Sequence, residues 1–360
     1  MTQRNFSLGF FSGNMDVNRY LQLKLLQFII RPASKVENLD VIKSTEIKVD
    51  RTISKCFKRI LNVTGFKSKV IPTKFGQLHY YDSDPNSNLK PLIFIHGLGS
   101  SAQSWWILGK MFENKRRIII PDLFHMSGFS EANNPVMDFL QHAESLIEFI
   151  STTTNQSVDL CGLSLGGWLS MYIASTNPKL VNSLILMNPA GLKINPFELR
   201  DTLTFLSWKK FQKLYPGILK AFPYTGFPLL SKTAKRSLFR NLKDDRIKDL
   251  LKLTKEIHFV DDNLKNIKCP VLLLWGKEDR LLSSKIPIVL SKSIKNINAK
   301  WVEGCAHVLA LEAPATCFHE INDFLNLKSI KNSPFTQSVL SASFSYHTTP
   351  IQNKENDHDY

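Results

Sequence analysis

The sequence predicts an α/β protein: a mostly parallel sheet with helices on both faces and a mainly helical cap inserted into it. Three observations point there. Short apolar runs of strand length alternate with stretches of helical spacing from about Val70 to Leu325. One such run, Val158 to Leu163, passes through a glycine-flanked turn directly into the helical spacing of Leu165 to Ala174. The distance from Asn188-Pro189-Ala190-Gly191 to the next apolar run at Val271 is far too long for a plain loop.

Composition permits such a core. Hydrophobic residues make up 43% of the 360 and charged residues 21%, ordinary globular values that suit one large α/β unit with additions. Residues 1–65 read as a partly helical N-terminal extension. Its apolar stretch, Tyr20 to Ile30, is too short and too interrupted to span a bilayer, and no small-residue cleavage site follows it. Arg31-Pro32 ends whatever helix it forms. That helix either packs on the protein or lies at a membrane surface with Arg19, Lys24 and Arg31 along its polar edge.

The core is expected over residues 66–192 and 269–326. Strands near Val70 and over Leu78 to Tyr81 precede a polar turn from Asp82 to Asn88 and a strand ending at His96. A helix over about Ser104 to Phe112, a strand from Arg117 to Ile120 and a helix over about Met137 to Ile150 come next. The unit around Ser164 follows, then a strand from Val181 to Met187. The inserted cap occupies about 193–268, after which Val271 to Trp275 and Lys300 to Val302 read as the last strands. Past Leu325 the chain is polar with few apolar anchors, so 327–360 reads as a disordered tail. A parallel sheet of this kind carries its site at the carboxyl ends of the strands.

Ser164 sits where a nucleophile belongs, on the sharp turn of Gly162-Leu163-Ser164-Leu165-Gly166. Glycines at 162 and 166 let neighbouring backbone pass without a Cβ clash, and the Leu165 amide, first in the helix, faces the space where an oxyanion would form. A serine hydroxyl needs a base to take its proton, and the base usually needs an acid to orient it. Asp279 lies after the strand Val271 to Trp275, although the adjacent Glu278 is also a candidate acid. His307 follows the last strand. The order Ser164, Asp279, His307, each in a loop after a strand, is far more specific than any one of them; singly, they also read as a turn serine, a loop carboxylate and a helix-capping histidine. His125, His142, His258 and His319 carry no motif and read as surface or helix-packing residues.

These motifs resemble the α/β-hydrolase superfamily over about Lys69 to Leu325. The strand and turn Leu92-Ile93-Phe94-Ile95-His96-Gly97-Leu98-Gly99 add to the likeness, which implies that the Leu98 amide is the second oxyanion donor and that His96 and Gly97 support the oxyanion loop. Pro121-Asp122 resembles the family's next turn. The loop Leu123 to Ser130 departs by lacking the usual Pro-Gly pair and by running one residue longer. The resemblance implies a serine esterase or monoacylglycerol-type lipase acting on an apolar acyl ester, with no cofactor and no metal. Carbon–carbon bond hydrolysis of a diketone is the second expectation, and a non-catalytic hydrolase-fold binding module the third. A serine at the nucleophile position disfavours the dehalogenase and epoxide-hydrolase branches, which need a carboxylate there.

The net charge of +15 is unevenly spread. Residues 1–65 hold 11 Lys+Arg against 5 Asp+Glu, the cap holds 17 against 8, and the remainder balances at 18 against 18. A nucleic-acid partner is not expected, because no nucleic-acid motif accompanies the charge. A basic extension and cap suit either an anionic membrane surface that supplies a lipid-like substrate or plain solvation. The chain is therefore expected in the cytoplasm or peripherally on a membrane. Within the cap, some of Phe197, Phe205, Trp208, Phe211, Tyr215, Phe222, Tyr224 and Phe227 should face the cleft, and Trp105, Trp106 and Trp168 are candidates to border it. Five cysteines without C-x-x-C pairs argue against both a zinc site and a disulfide framework.

Overall fold

The structure is a computed structural model that describes residues 58–59, 61–62, 65–84, 87–112, 115–194, 238–239, 241–255 and 258–331, with side chains through 326. Most of the extension, the Tyr20 to Ile30 stretch, all eight cap aromatics and the tail beyond 331 lie outside the described residues. The chain divides into two compact units, Met1–Phe318 and His319–Tyr360.

The first unit is built on a nine-stranded sheet. Strands β1 (Lys67–Thr73) and β2 (Gly76–Asp82) form an antiparallel hairpin, and β2 also pairs antiparallel with β4 (Arg117–Pro121) and with the two-residue β5 (Glu131–Ala132). From β4 onward every pairing is parallel, through β3 (Pro91–Ile95), β6 (Val158–Leu163), β7 (Val181–Met187), β8 (Val271–Gly276) and β9 (Ile297–Val302). The expected strands are therefore present and mostly parallel; the short β5 had no sequence signal. Because β3 lies between β4 and β6, the chain reverses its direction of travel across the sheet there. Such a switch point opens a crevice at the strands' carboxyl ends.

The central strands are apolar on both faces because helices cover both. Alternation along β3 sends Ile93 and Ile95 into the core shared with α2 (Phe139–Thr153) and α3 (Leu165–Thr176). Phe94 points the other way and stacks on Trp105 at 4.8 Å between ring centroids. Trp105 is thus a core residue of the short 3₁₀ turn Ala102–Trp105 that leads into α1 (Trp106–Met111). Helix α2 starts with a reciprocal cap: Asp138 accepts from the Gln141 amide and Gln141 accepts from the Asp138 amide, both at 2.9 Å.

In the expected cap range the described residues include α4 (Asp245–Leu253) and a 3₁₀ turn, Asp261–Asn266. Beyond β8 come α5 (Lys285–Ser293), the short α6 (Leu309–Glu312) and α7 (Pro314–Lys331). Helix α7 runs past the boundary expected at 326. Among the described residues no helix is long and apolar enough to cross a membrane.

His142 departs from its expected surface or packing role in one respect. It is buried inside α2, and neither ring nitrogen has a hydrogen-bond partner among the described residues. Burial, together with the nearby His125, depresses its pKa from 6.5 to about 3. The folded chain keeps this ring neutral while the unfolded chain protonates it below pH 6.5, so stability falls as pH drops from 6.5 towards 3, by roughly 1.4 kcal/mol per unit. His142→Leu should flatten this slope: urea midpoints measured at pH 7 and pH 4.5 should differ less for the variant than for the wild type.

Candidate active site

Ser164 occupies the turn between β6 and α3 with φ 55° and ψ −116°, a conformation costly for a residue with a side chain. The flanking glycines are sterically required. A Cβ on Gly162 would lie 2.3 Å from the Gly166 carbonyl oxygen, and one on Gly166 would lie 2.1 Å from the Ile95 carbonyl oxygen. Both obstacles are backbone and cannot swing aside. As the first residue of α3, Leu165 has an amide with no acceptor inside the helix.

The loop after β3 rests on this elbow. A Cβ on Gly97 would be 3.3 Å from the Ser164 Cβ and 3.9 Å from its Oγ. His96 holds the loop from beneath. Its Nε2 accepts from the Leu123 amide at 3.0 Å, so in the neutral ring Nδ1 carries the proton and donates to the Gly97 carbonyl at 2.9 Å. Burial lowers the His96 pKa, which keeps the ring in this neutral form. Leu98 follows in the turn closed by the Ser100 amide on the Gly97 carbonyl, with Gly99 at φ 68°.

Asp279 and His307 meet directly. His307 Nδ1 lies 2.7 Å from Asp279 Oδ2, and both side chains are almost fully buried. The other carboxylate oxygen accepts from the amides of Leu281 at 2.8 Å and Leu282 at 3.2 Å, which fixes the carboxylate plane. Glu278 is exposed and its neighbour takes the contact. With the Nδ1 proton on Asp279, Nε2 of a neutral His307 is left as the basic nitrogen.

Asn188, which sequence reading used only to mark where the inserted segment begins, joins the loops. It sits at φ 40°, which asparagine tolerates better than most residues. Its side chain accepts from the Gly276 amide at 2.7 Å, at the end of β8, and donates to the Ala306 carbonyl at 2.8 Å, next to His307. The preceding Met187 carbonyl accepts from the Ser164 amide at 3.1 Å. Met187 and Asn188 thus tie the elbow, the end of β8 and the loop before His307 together. No local signal pairs positions 118 residues apart.

A hydrogen-bonded Ser-His-Asp chain lies elsewhere. Ser68 Oγ is 2.8 Å from His79 Nε2, and His79 Nδ1 is 2.7 Å from Asp122 Oδ2. Its serine lies in the regular strand β1, with no strained elbow and no helix N-terminus beside it. Its work is structural. Asp122 also accepts from Ala102 N at 2.7 Å and Phe129 N at 3.0 Å; burial raises its pKa, but the bonds from His79 and Ala102 prevail and the net shift is downward. The unusual loop 123–130 folds around this carboxylate, so closely that a Cβ on Gly128 would strike it. The same loop braces the turn at 97–100, because Ser127 Oγ donates to the Gly99 carbonyl at 2.7 Å.

Trp168 fastens residues 258–259 to α3. Its indole donates to the His258 carbonyl at 2.8 Å and its ring stacks on Phe259 at 4.9 Å. From the other side Leu242 covers Gly99, with its Cδ2 3.1 Å from where a Cβ would be.

Residues 90–314 match the alpha/beta hydrolase fold family. The chain belongs to that family. Among α/β-hydrolases with known names, monoacylglycerol lipase ABHD6 of Mus musculus is 22% identical over 267 residues, covering 65% of this chain and 75% of the mouse protein. Lipase 1 of Psychrobacter immobilis is 23% identical over 282 residues, covering 73% and 85%. The crystal structure of a putative lipase from Acinetobacter baumannii superposes with a TM-score of 0.65 at 21% identity, covering 84% of this chain and all of that one. At that identity the likeness establishes the shared α/β-hydrolase fold.

Asn188→Ala should cost about 2–4 kcal/mol, because it strands the buried Gly276 amide and Ala306 carbonyl together. Chemical denaturation of the purified variant measures the loss.

Proposed function

We propose that this chain is a serine hydrolase that cleaves carboxylic esters with an apolar acyl group, as a carboxylesterase or monoacylglycerol-type lipase does. The observation that carries the reading is the Ser164 backbone. A positive-φ serine costs on the order of 1–3 kcal/mol, and such strain persists where it aims a reacting group. Here it is combined with an imidazole oriented by a buried carboxylate 2.7 Å away.

The chemistry follows from the arrangement. His307 Nε2 takes the Ser164 proton as Oγ attacks the ester carbonyl, and the Leu98 and Leu165 amides stabilise the oxyanion. Collapse expels the alkoxide, which leaves as an alcohol with the proton from His307. Water activated by the same ring then releases the acid and restores the serine. Segments 66–192 and 269–326 supply this machinery, and 193–268 caps it. The names of the mouse and Psychrobacter relatives support a lipid-like ester. The excess positive charge of the extension and cap supports peripheral contact with an anionic membrane.

A fluorophosphonate probe should label the wild type and leave Ser164→Ala unlabelled, with the variant's kcat for a p-nitrophenyl ester reduced on the order of 10⁴-fold or more. Absence of labelling in the wild type would remove the serine-hydrolase reading. In a p-nitrophenyl ester chain-length series run beside a diketone, esters should be the better substrates; preference for the diketone would make carbon–carbon hydrolysis the activity. Flotation should recover more of the full chain with phosphatidylserine vesicles than with phosphatidylcholine vesicles, and salt should erase the difference.

A further inference from the structure

We propose that Glu312 is a positioning residue for His307: its buried carboxylate grips the backbone on both sides of the catalytic ring and supplies a second negative charge beside it. This rests on the serine-hydrolase reading. Glu312 closes α6, the short helix directly after the base loop, and its side chain turns back over that loop. One oxygen accepts from the Ala306 amide at 2.7 Å and the other from the Val308 amide at 2.9 Å, the residues immediately before and after His307. With Asn188 on the Ala306 carbonyl, residue 306 is held at both its donor and its acceptor.

Elements packed against α6 offer little to neutralise this carboxylate. The turn at 102–105 and helix α1, which contact it, carry a single charged residue between them, Lys110. Among the described residues, the ionisable groups that act on it are His307 and Asp279. Burial pushes the Glu312 carboxyl above the usual glutamate value and Asp279 adds to the push, while the two amides and His307 oppose it. A buried carboxylate is costly, and two short bonds to the amides flanking His307 offset that cost. The charge also favours the imidazolium that forms when His307 takes the serine proton.

Two full-length variants test the idea, with active sites titrated by fluorophosphonate and kinetics followed on a p-nitrophenyl ester. Glu312→Gln removes the charge and turns an amide group towards one backbone donor; kcat should fall about 10–100-fold with KM unchanged. Its acid limb in kcat/KM should move to lower pH, because the imidazolium loses a nearby negative charge. Glu312→Asp keeps the charge but shortens the reach, so kcat should fall while the acid limb stays. Both variants within twofold of wild type per titrated site would overturn the proposal, as would a kcat loss in Glu312→Gln with an unmoved acid limb. Should Glu312→Gln not fold, wild-type kcat per titrated site in Glu312→Asp would overturn it equally. An unlabelled wild type would instead overturn the underlying serine-hydrolase reading.

Discussion

Everything at the carboxyl end of this sheet depends on a backbone crossing in which the first turn of α3 lies on the end of β3. With a Cβ on Gly166 the chain would sit 2.1 Å from the Ile95 carbonyl oxygen, so the two segments can meet only where side chains are absent. That crossing brings Gly97 against Ser164, leaves the Leu165 amide at a helix start, and forces the serine into its positive-φ turn. Hydrophobic burial of β3, β6 and α3 offsets the strain, since these elements are buried along nearly their whole length.

Around the crossing, side-chain hydrogen bonds rather than apolar contacts set the loop positions. Asp122 gathers three donors from separate segments, Asn188 spans two strand ends, and Glu312 brackets the base. Buried polar groups of this kind are expensive unless every partner is present, which favours one loop arrangement over its alternatives. Ser68 and Ser164 make the contrast plain. Ser68 Oγ lies 2.8 Å from a histidine nitrogen yet belongs to an ordinary strand, while Ser164 lies on a strained elbow beside a helix start. Backbone geometry separates a candidate nucleophile from a structural hydroxyl where residue types do not.

Much of the fold was legible in advance, for stated physical reasons. Val158 to Leu163, Val181 to Met187 and Val271 to Trp275 are apolar on both faces, and such runs of strand length bury themselves in a covered parallel sheet wherever they occur. The contact of His307 with Asp279 joins two loops that the sequence reading had paired, each placed after a strand. Trp105, considered as a cleft residue, instead stacks on Phe94 inside the core, since its short 3₁₀ turn faces the sheet. His142 was read as unremarkable, yet it is a neutral buried ring; a single histidine at a helical position does not reveal what will cover it.

What the sequence determined by itself was local: element order, the glycine pattern of the elbow, and the loops that carry Ser164, Asp279 and His307. Each follows from side-chain periodicity or a missing Cβ within a few residues. Only the tertiary structure decided that Asp279 rather than Glu278 meets His307, that the departed loop 123–130 closes on Asp122, and that Asn188 and Glu312 hold the loop of the base. Those contacts join segments remote in sequence or select between adjacent side chains. They exist because the packed sheet brings polar groups together away from water, where each must find a partner.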